Sequence, residues 1–200
     1  MANNFVNSFA SIVTAGEYYQ SDASDASTGP QTVYTANNGS SGVNSILIEL
    51  DASNTGTSGI TITAFIQDTS ATLGTISSVV SASDVATVTT ASAHGLKVGQ
   101  YVNVTGSSTN YGNGVYKVAS VPSTTTFTYA QNTNAADGTA AGTIVIYKSY
   151  HIVKDAPVPS GATLKVVAGQ KVVLNSNDKV IAYASGANCD IIAGILQEVT

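Results

Sequence analysis

Ile60-Thr61-Ile62-Thr63-Ala64-Phe65-Ile66-Gln67-Asp68 alternates Ile60, Ile62, Ala64 and Ile66 with Thr61, Thr63, Phe65 and Gln67. This period of two is the mark of a β-strand with one face on a core. A hairpin partner should follow within a few residues, because antiparallel neighbours are usually joined by short loops. Instead, after Thr69-Ser70-Ala71-Thr72 a second pattern begins and runs to about Ile146. The run Val145 to Lys154 is the next strand able to supply the missing partner. An inserted domain accounts for the gap, since hairpin tips tolerate insertions best. The chain therefore reads as all-β. Residues 1–73 and 147–200 form a discontinuous antiparallel β-sandwich of jelly-roll or Ig-like kind, and residues 74–146 form a small β-barrel-like domain inserted in a hairpin.

Working outward, Thr32 to Thr35 and Ser45 to Leu50 are strands flanking the turn Asn37-Asn38-Gly39-Ser40-Ser41-Gly42. Downstream, Asp155-Ala156-Pro157-Val158-Pro159-Ser160-Gly161 should end a strand near Lys154, because proline cannot donate to a ladder and glycine reverses the chain. Leu164 to Val167, Lys171 to Leu174, Val180 to Tyr183 and Cys189 to Leu196 follow as strands. Ala168-Gly169 and Asn175-Ser176-Asn177-Asp178 are read as turns between them. The inserted segment has strands at Ala86–Thr89, Tyr101–Val104, Val115–Val121, Thr126–Tyr129 and Gly142–Val145. At the N-terminus, Phe5, Val6, Phe9, Ile12 and Val13 fit a helical turn and an irregular strand equally. Gly16 to Gln31 reads as loop, and residues 1–31 together are the candidate docking arm, since terminal arms can order on a partner.

Only 10% of residues are charged, well below the roughly 25% usual in soluble domains, while 43% are apolar, enough to build a core. A net charge of −5 offers no basic stripe to a phosphate backbone, which disfavours nucleic acid as a partner. Cys189 is the only cysteine, which excludes an internal disulfide and any cysteine-based zinc cluster. Neither a signal peptide nor an apolar run long enough to span a bilayer is present, so synthesis in a cytoplasm and no membrane partner are expected.

The residues that carry chemistry elsewhere do not converge in this sequence. His94 and His151 are the only imidazoles, and no Gly-x-Ser-x-Gly elbow accompanies them. His94 precedes a glycine turn, where capping or packing explains it; a sheet face explains His151. The aspartates sit in turns, where Asx-turn duty suffices. Asp22 and Asp25 lack the oxygen-ligand series of a calcium loop. Gly112-Asn113-Gly114 lacks the Lys-Ser/Thr and the helix of a phosphate loop. No catalytic residue, cofactor or metal is expected. Tyr18, Tyr19, Tyr111, Tyr116 and Tyr129 could stack on a sugar or a protein, with strand packing the plainer reading. The candidate interaction residues are Phe5, Phe9, Tyr18, Tyr19, His94 and Tyr111.

Three motifs of the inserted segment carry a resemblance: His94-Gly95-Leu96-x-Val98-Gly99-x-Tyr101-Val102, Tyr111-Gly112-x-Gly114-x-Tyr116-x-Val118 and Ser123-Thr124-Thr125-Thr126-Phe127-Thr128-Tyr129. They resemble a small β-domain recurrent in bacteriophage virion proteins, similar to the module likened to the first catalytic cysteine half-domain of ubiquitin-activating enzymes. No cysteine chemistry comes with it, because residues 74–146 contain no Cys. Met1-Ala2-Asn3-Asn4-Phe5-x-Asn7, Val33-Tyr34-Thr35-Ala36 and Val153-Lys154-Asp155-Ala156-Pro157-Val158-Pro159-x-Gly161 with Lys171-Val172-Val173-Leu174 resemble small virion structural proteins of tailed phages, especially phages of aquatic bacteria such as cyanophages. The resemblance implies a non-enzymatic virion component, an accessory capsid decoration (cement) or neck-associated protein. Its partners would be capsid, neck or tail proteins and further copies of itself. The alternative it implies is a tail- or fibre-associated module that binds a host surface glycan or receptor through His94 to Gln100 and Thr109 to Gly114.

Overall fold

The computed structural model describes residues 4–13, 19–20, 30–36, 44–107, 114–131 and 137–199. These residues form only strands and their connections: β1 (Asn4–Ile12), β2 (Tyr19–Gln20), β3 (Gln31–Thr35), β4 (Asn44–Asn54), β5 (Ile60–Thr72), β6 (Ile76–Ala82), β7 (Val85–Thr90), β8 (Tyr101–Ser107), β9 (Gly114–Ser123), β10 (Thr126–Ala130), β11 (Gly138–Thr139), β12 (Gly142–Val158), β13 (Thr163–Leu174), β14 (Lys179–Ala184) and β15 (Cys189–Val199). The chain divides into two compact units, one of Met1–Gly16, Gly29–Thr69 and His151–Thr200, the other of Glu17–Thr28 and Ser70–Tyr150. The divisions after Thr69 and Tyr150 fall inside β5 and β12, so both strands pass from one unit into the other.

The first unit is antiparallel and sandwich-like. One sheet runs β1-β15-β4-β13; in the other layer β12, β5, β14 and β3 lie side by side. Between the layers Ile12, Leu47, Leu50, Ile62, Leu174 and Ile191 are all but fully buried. The alternation that made Ile60–Asp68 a strand is what drives this: Ile60, Ile62 and Ala64 face the core. The partner assigned to that strand, the run ending at Lys154, lies beside it as β12.

Three local readings change. β1 is a strand, because all nine of its residues pair with β15, from Asn4↔Gln197 to Ile12↔Cys189. That pairing satisfies the backbone groups that face β15 and turns Ile12 into the core, so Asn4–Ile12 is an integral strand of the sandwich, with its other edge outermost among the described residues. β12 does not stop at Lys154 but runs on to Val158. Asp155 takes a positive φ of 50°, and its N–H donates to Thr63 Oγ1 at 3.0 Å, so the corner is held as an irregularity within the strand. Pro157 lies beyond Lys148, where the pairing of β12 with β8 ends, so among the described residues β12 is a sheet edge on that side and proline is compatible with it there. Ala168-Gly169 is likewise no turn: β13 is continuous, with Gly169 at φ 75° and register shifts on both sides of Ala168. A glycine in this conformation bends an antiparallel strand without ending it.

Two buried side chains hold the connections of this unit. Asn54, 2% exposed, donates from Nδ2 to the carbonyls of Ser58 (2.8 Å) and Val158 (3.0 Å), while its Oδ1 accepts from Gly56 N–H (2.9 Å). Asp178, also 2% exposed, closes the turn after β13. Its Oδ2 accepts from Asn175 N–H at 2.9 Å, and its Oδ1 accepts from Thr69 N–H and Oγ1 at 3.0 and 3.1 Å.

In the second unit the strands follow the antiparallel path β11-β6-β7-β10-β9-β8-β12, with β2 pairing β9 as Tyr19↔Val115 and Gln20↔Gly114. Tyr19-Gln20 lies in a stretch read from sequence as loop. β6, Ile-Ser-Ser-Val-Val-Ser-Ala, was not anticipated either; three serines mask a strand whose Val79 is 1% exposed. Among the described residues the path has two ends, so no closed barrel forms, contrary to the barrel-like expectation. The core is aromatic: Tyr116 and Tyr129 stack at 4.0 Å and 15°, and Phe127 packs beside Tyr129.

Candidate functional site

The outer face of β1-β15-β4-β13 can be read row by row from its registers. Because side chains alternate across a strand, the residues opposite those buried in the core point away from it. Phe5 pairs with Leu196, Leu196 with Ile46, and Ile46 with Val173, so four apolar side chains line up across the whole sheet. Phe5 is 72% and Val173 57% exposed, with Leu196 and Ile46 half-buried between them. In another row Phe9, 68% exposed, lies beside Ile192, and Asp51 and Lys165 continue it. The row Ser11, Asp190, Ser53 and Thr163 is wholly polar. There Ser11 Oγ donates to Asp190 Oδ1 at 2.6 Å, and the hydroxyls of Ser53 and Thr163 meet at 2.8 Å. Between the two phenylalanine rows lies the row Asn7, Gly194, Glu49 and Ala168, so the face is apolar across the Phe5 row, mixed through the Asn7 and Phe9 rows and polar at Ser11.

Its charges are few. Lys165 Nζ lies 3.6 Å from Glu49 Oε1, an exposed pair of small energetic weight. The Asp51 carboxyl is held above the usual carboxylate range, first by burial and then by the neighbouring Glu49 charge, against the opposing pull of Lys165. This arrangement can bury an apolar surface. Among the described residues no group of three or more His, Cys, Asp and Glu is placed to hold a metal ion.

Of the six candidate interaction residues, the structure brings Phe5 and Phe9 together on one face. Tyr18 and Tyr111 lie outside the described residues. Tyr19 is placed by its backbone in β2, apart in sequence and in unit from the two phenylalanines. His94 is 2% exposed, which removes its ring from any contact surface. Its Nδ1 accepts from Leu96 N–H at 3.0 Å, and the ring meets Phe127 edge-on at 5.2 Å, so it caps its own loop. The loop presents Val98 instead, 64% exposed between Gly95 and Gly99. Tyr116 and Tyr129 are fully buried against each other and offer no platform to a sugar. Burial, and then Tyr116, pushes the Tyr129 hydroxyl well above its ordinary pKa.

Leu196, Ile46, Val173 and Ile192 were missed as surface residues. Each sits in a continuous apolar run that reads as a strand without showing which face is buried, and nothing local says that the four strands lie side by side in this register. No protein-family model, curated protein or solved structure matches the chain.

Proposed function

We propose that the chain is a non-enzymatic structural component of a tailed-phage virion, an accessory capsid decoration or neck-associated protein. In this reading its first unit is a jelly-roll or Ig-like sandwich that attaches to neighbouring virion proteins. The observation that supports it best is the apolar row Phe5, Leu196, Ile46 and Val173, a strip that crosses a four-stranded sheet with Phe5 and Val173 exposed at its two ends. Exposed apolar strips of this kind mark interaction surfaces, and repetition on a particle makes weak single contacts cumulative. The motifs at Val153 to Gly161 and His94 to Val102 support the phage assignment by resemblance. The test is mass spectrometry and immunogold labelling of gradient-purified particles from a lysate of the phage that encodes the chain. Stoichiometric presence at one position supports the reading, and absence from purified particles refutes it.

The exposed Val98 favours a second reading, a tail- or fibre-associated module that touches a host glycan or receptor through the His94 to Gln100 loop. In that case purified chain binds host cells and Val98→Asp abolishes the binding. Equal binding by both proteins excludes this loop.

A further inference from the structure

The sheet β1-β15-β4-β13 has two edges, and they are built differently. The β13 edge is guarded: Lys165 and Lys171 lie along it, and two register shifts and Gly169 at φ 75° bend it. Lysines and bulges are the devices by which sheets keep their edges from pairing with other chains. The β1 edge has none of them. Asn-Phe-Val-Asn-Ser-Phe-Ala-Ser-Ile contains no charged residue and no proline, and its nine pairs with β15 run without a register shift. Among the described residues no strand pairs its other side. The remaining terminal strands of the fold, β3 with five residues and β11 with two, are short. A nine-residue, bulge-free, uncharged edge bearing two exposed phenylalanines is a template for strand addition.

We propose that β1 pairs antiparallel with β1 of a second copy of this chain about a two-fold axis, joining two four-stranded sheets into one of eight strands. The occupant follows from self-complementarity and charge. About a two-fold axis the pairing with Asn7 opposite Asn7 sets Phe5 opposite Phe9 of the second copy, twice, on the same outer face. Aromatic cross-strand pairs are among the favourable ones. Each copy carries a net charge of −5, so two copies repel unless they meet where charge is absent, and β1 is such a place. Asp190, which pairs with Ser11 on the strand next to β1, would lie three strand spacings, about 14 Å, across the joined sheet and eight residues, about 27 Å, along the strands from its counterpart, beyond the Debye length of about 8 Å at physiological salt.

The buried area sets the strength. Two phenylalanines exposed by 72% and 68% can contribute at most roughly 280 Å² per copy, taking about 200 Å² for a whole side chain. With the backbone edge this stays below the roughly 800 Å² per partner of a standard tight interface. The dimer therefore belongs to the reversible, concentration-dependent class. It goes beyond the virion assignment and stands or falls separately: the solution assay below reads self-association, whereas particle composition reads the virion role.

Sedimentation equilibrium of the full chain from micromolar to several hundred micromolar should follow a monomer–dimer isotherm. The double variant Phe5→Lys/Phe9→Lys should weaken association by about 100-fold or more while leaving the thermal midpoint unchanged, since both side chains are exposed. Under mild oxidation Asn7→Cys should cross-link to itself, and Val173→Cys at the guarded edge should not. A wild-type chain that stays monomeric throughout overturns the proposal. So does a dimer that survives both lysines, or a cross-link through Val173→Cys and none through Asn7→Cys.

Discussion

Replacing Asn54 by alanine isolates what holds the Thr55 to Gly59 connection onto the end of β12. The wild-type amide makes three bonds, all to main chain: to Ser58 O, to Val158 O and from Gly56 N–H. Ser58 is exposed, so water can replace its lost partner, and that bond and the Gly56 bond are each worth about 1 kcal/mol net. Val158 is 1% exposed, and an acceptor orphaned in such a place costs about 2 kcal/mol. The sum is roughly 4 kcal/mol, a fall in Tm of about 10 °C. Urea unfolding followed by circular dichroism measures it. Asn54→Asp sharpens the test, because it keeps the acceptor toward Gly56 and points an oxygen at the two carbonyls. A carboxyl so placed has its pKa raised in the folded state above the ordinary unfolded value of about 3.9. The protonated form still donates, so the variant is most stable below that value and loses stability as pH rises through the folded pKa. An alanine variant within about 1 kcal/mol of wild type, or an aspartate variant indifferent to pH between about 3.5 and 7, would refute the reasoning.

Gly106→Ala should be among the costliest single substitutions in the second unit. The residue sits at φ 80°, and an added Cβ would run into the Thr143 carbonyl, for a cost of about 3 kcal/mol or more by thermal melting. Gly59→Ala, with open space around the new methyl, is the control expected to be near neutral. Asp51→Asn should raise the thermal midpoint at pH 7 and lose that advantage near pH 3. The raised carboxyl of Asp51 costs the folded state stability only as pH rises above the ordinary value of 3.8, and a pH series of melts on both proteins checks the sign. Cys189 is buried, and burial followed by the Asp190 charge pushes its thiol up to about 11. A disulfide reagent at pH 8 should therefore label it only as fast as the sheet opens, and immediate stoichiometric labelling would contradict its burial.

The sequence by itself determined the elements whose pattern is local. The alternation through Ile60–Asp68 declares a strand with one buried face, and its lack of a nearby partner is enough to assign the run ending at Lys154 to it. Asn175-Ser176-Asn177-Asp178 is recognisable as a turn, and His94 before Gly95 as a loop cap, because each contact involved is made within a few residues. Tertiary structure alone decided what depends on partners distant in the chain. β1 is a strand because β15 supplies hydrogen bonds from more than 170 positions away, and its own apolar spacing suits a helix equally. β12 continues through Asp155 because Thr63 holds the irregularity, and β13 continues through Gly169 because β4 pairs on both sides of it. The candidate site divides in the same way. Phe5 and Phe9 are conspicuous in the sequence, but the row they join with Leu196, Ile46 and Val173 exists only once four strands are set in register. A slip of one residue in any strand would turn its member of that row into the core.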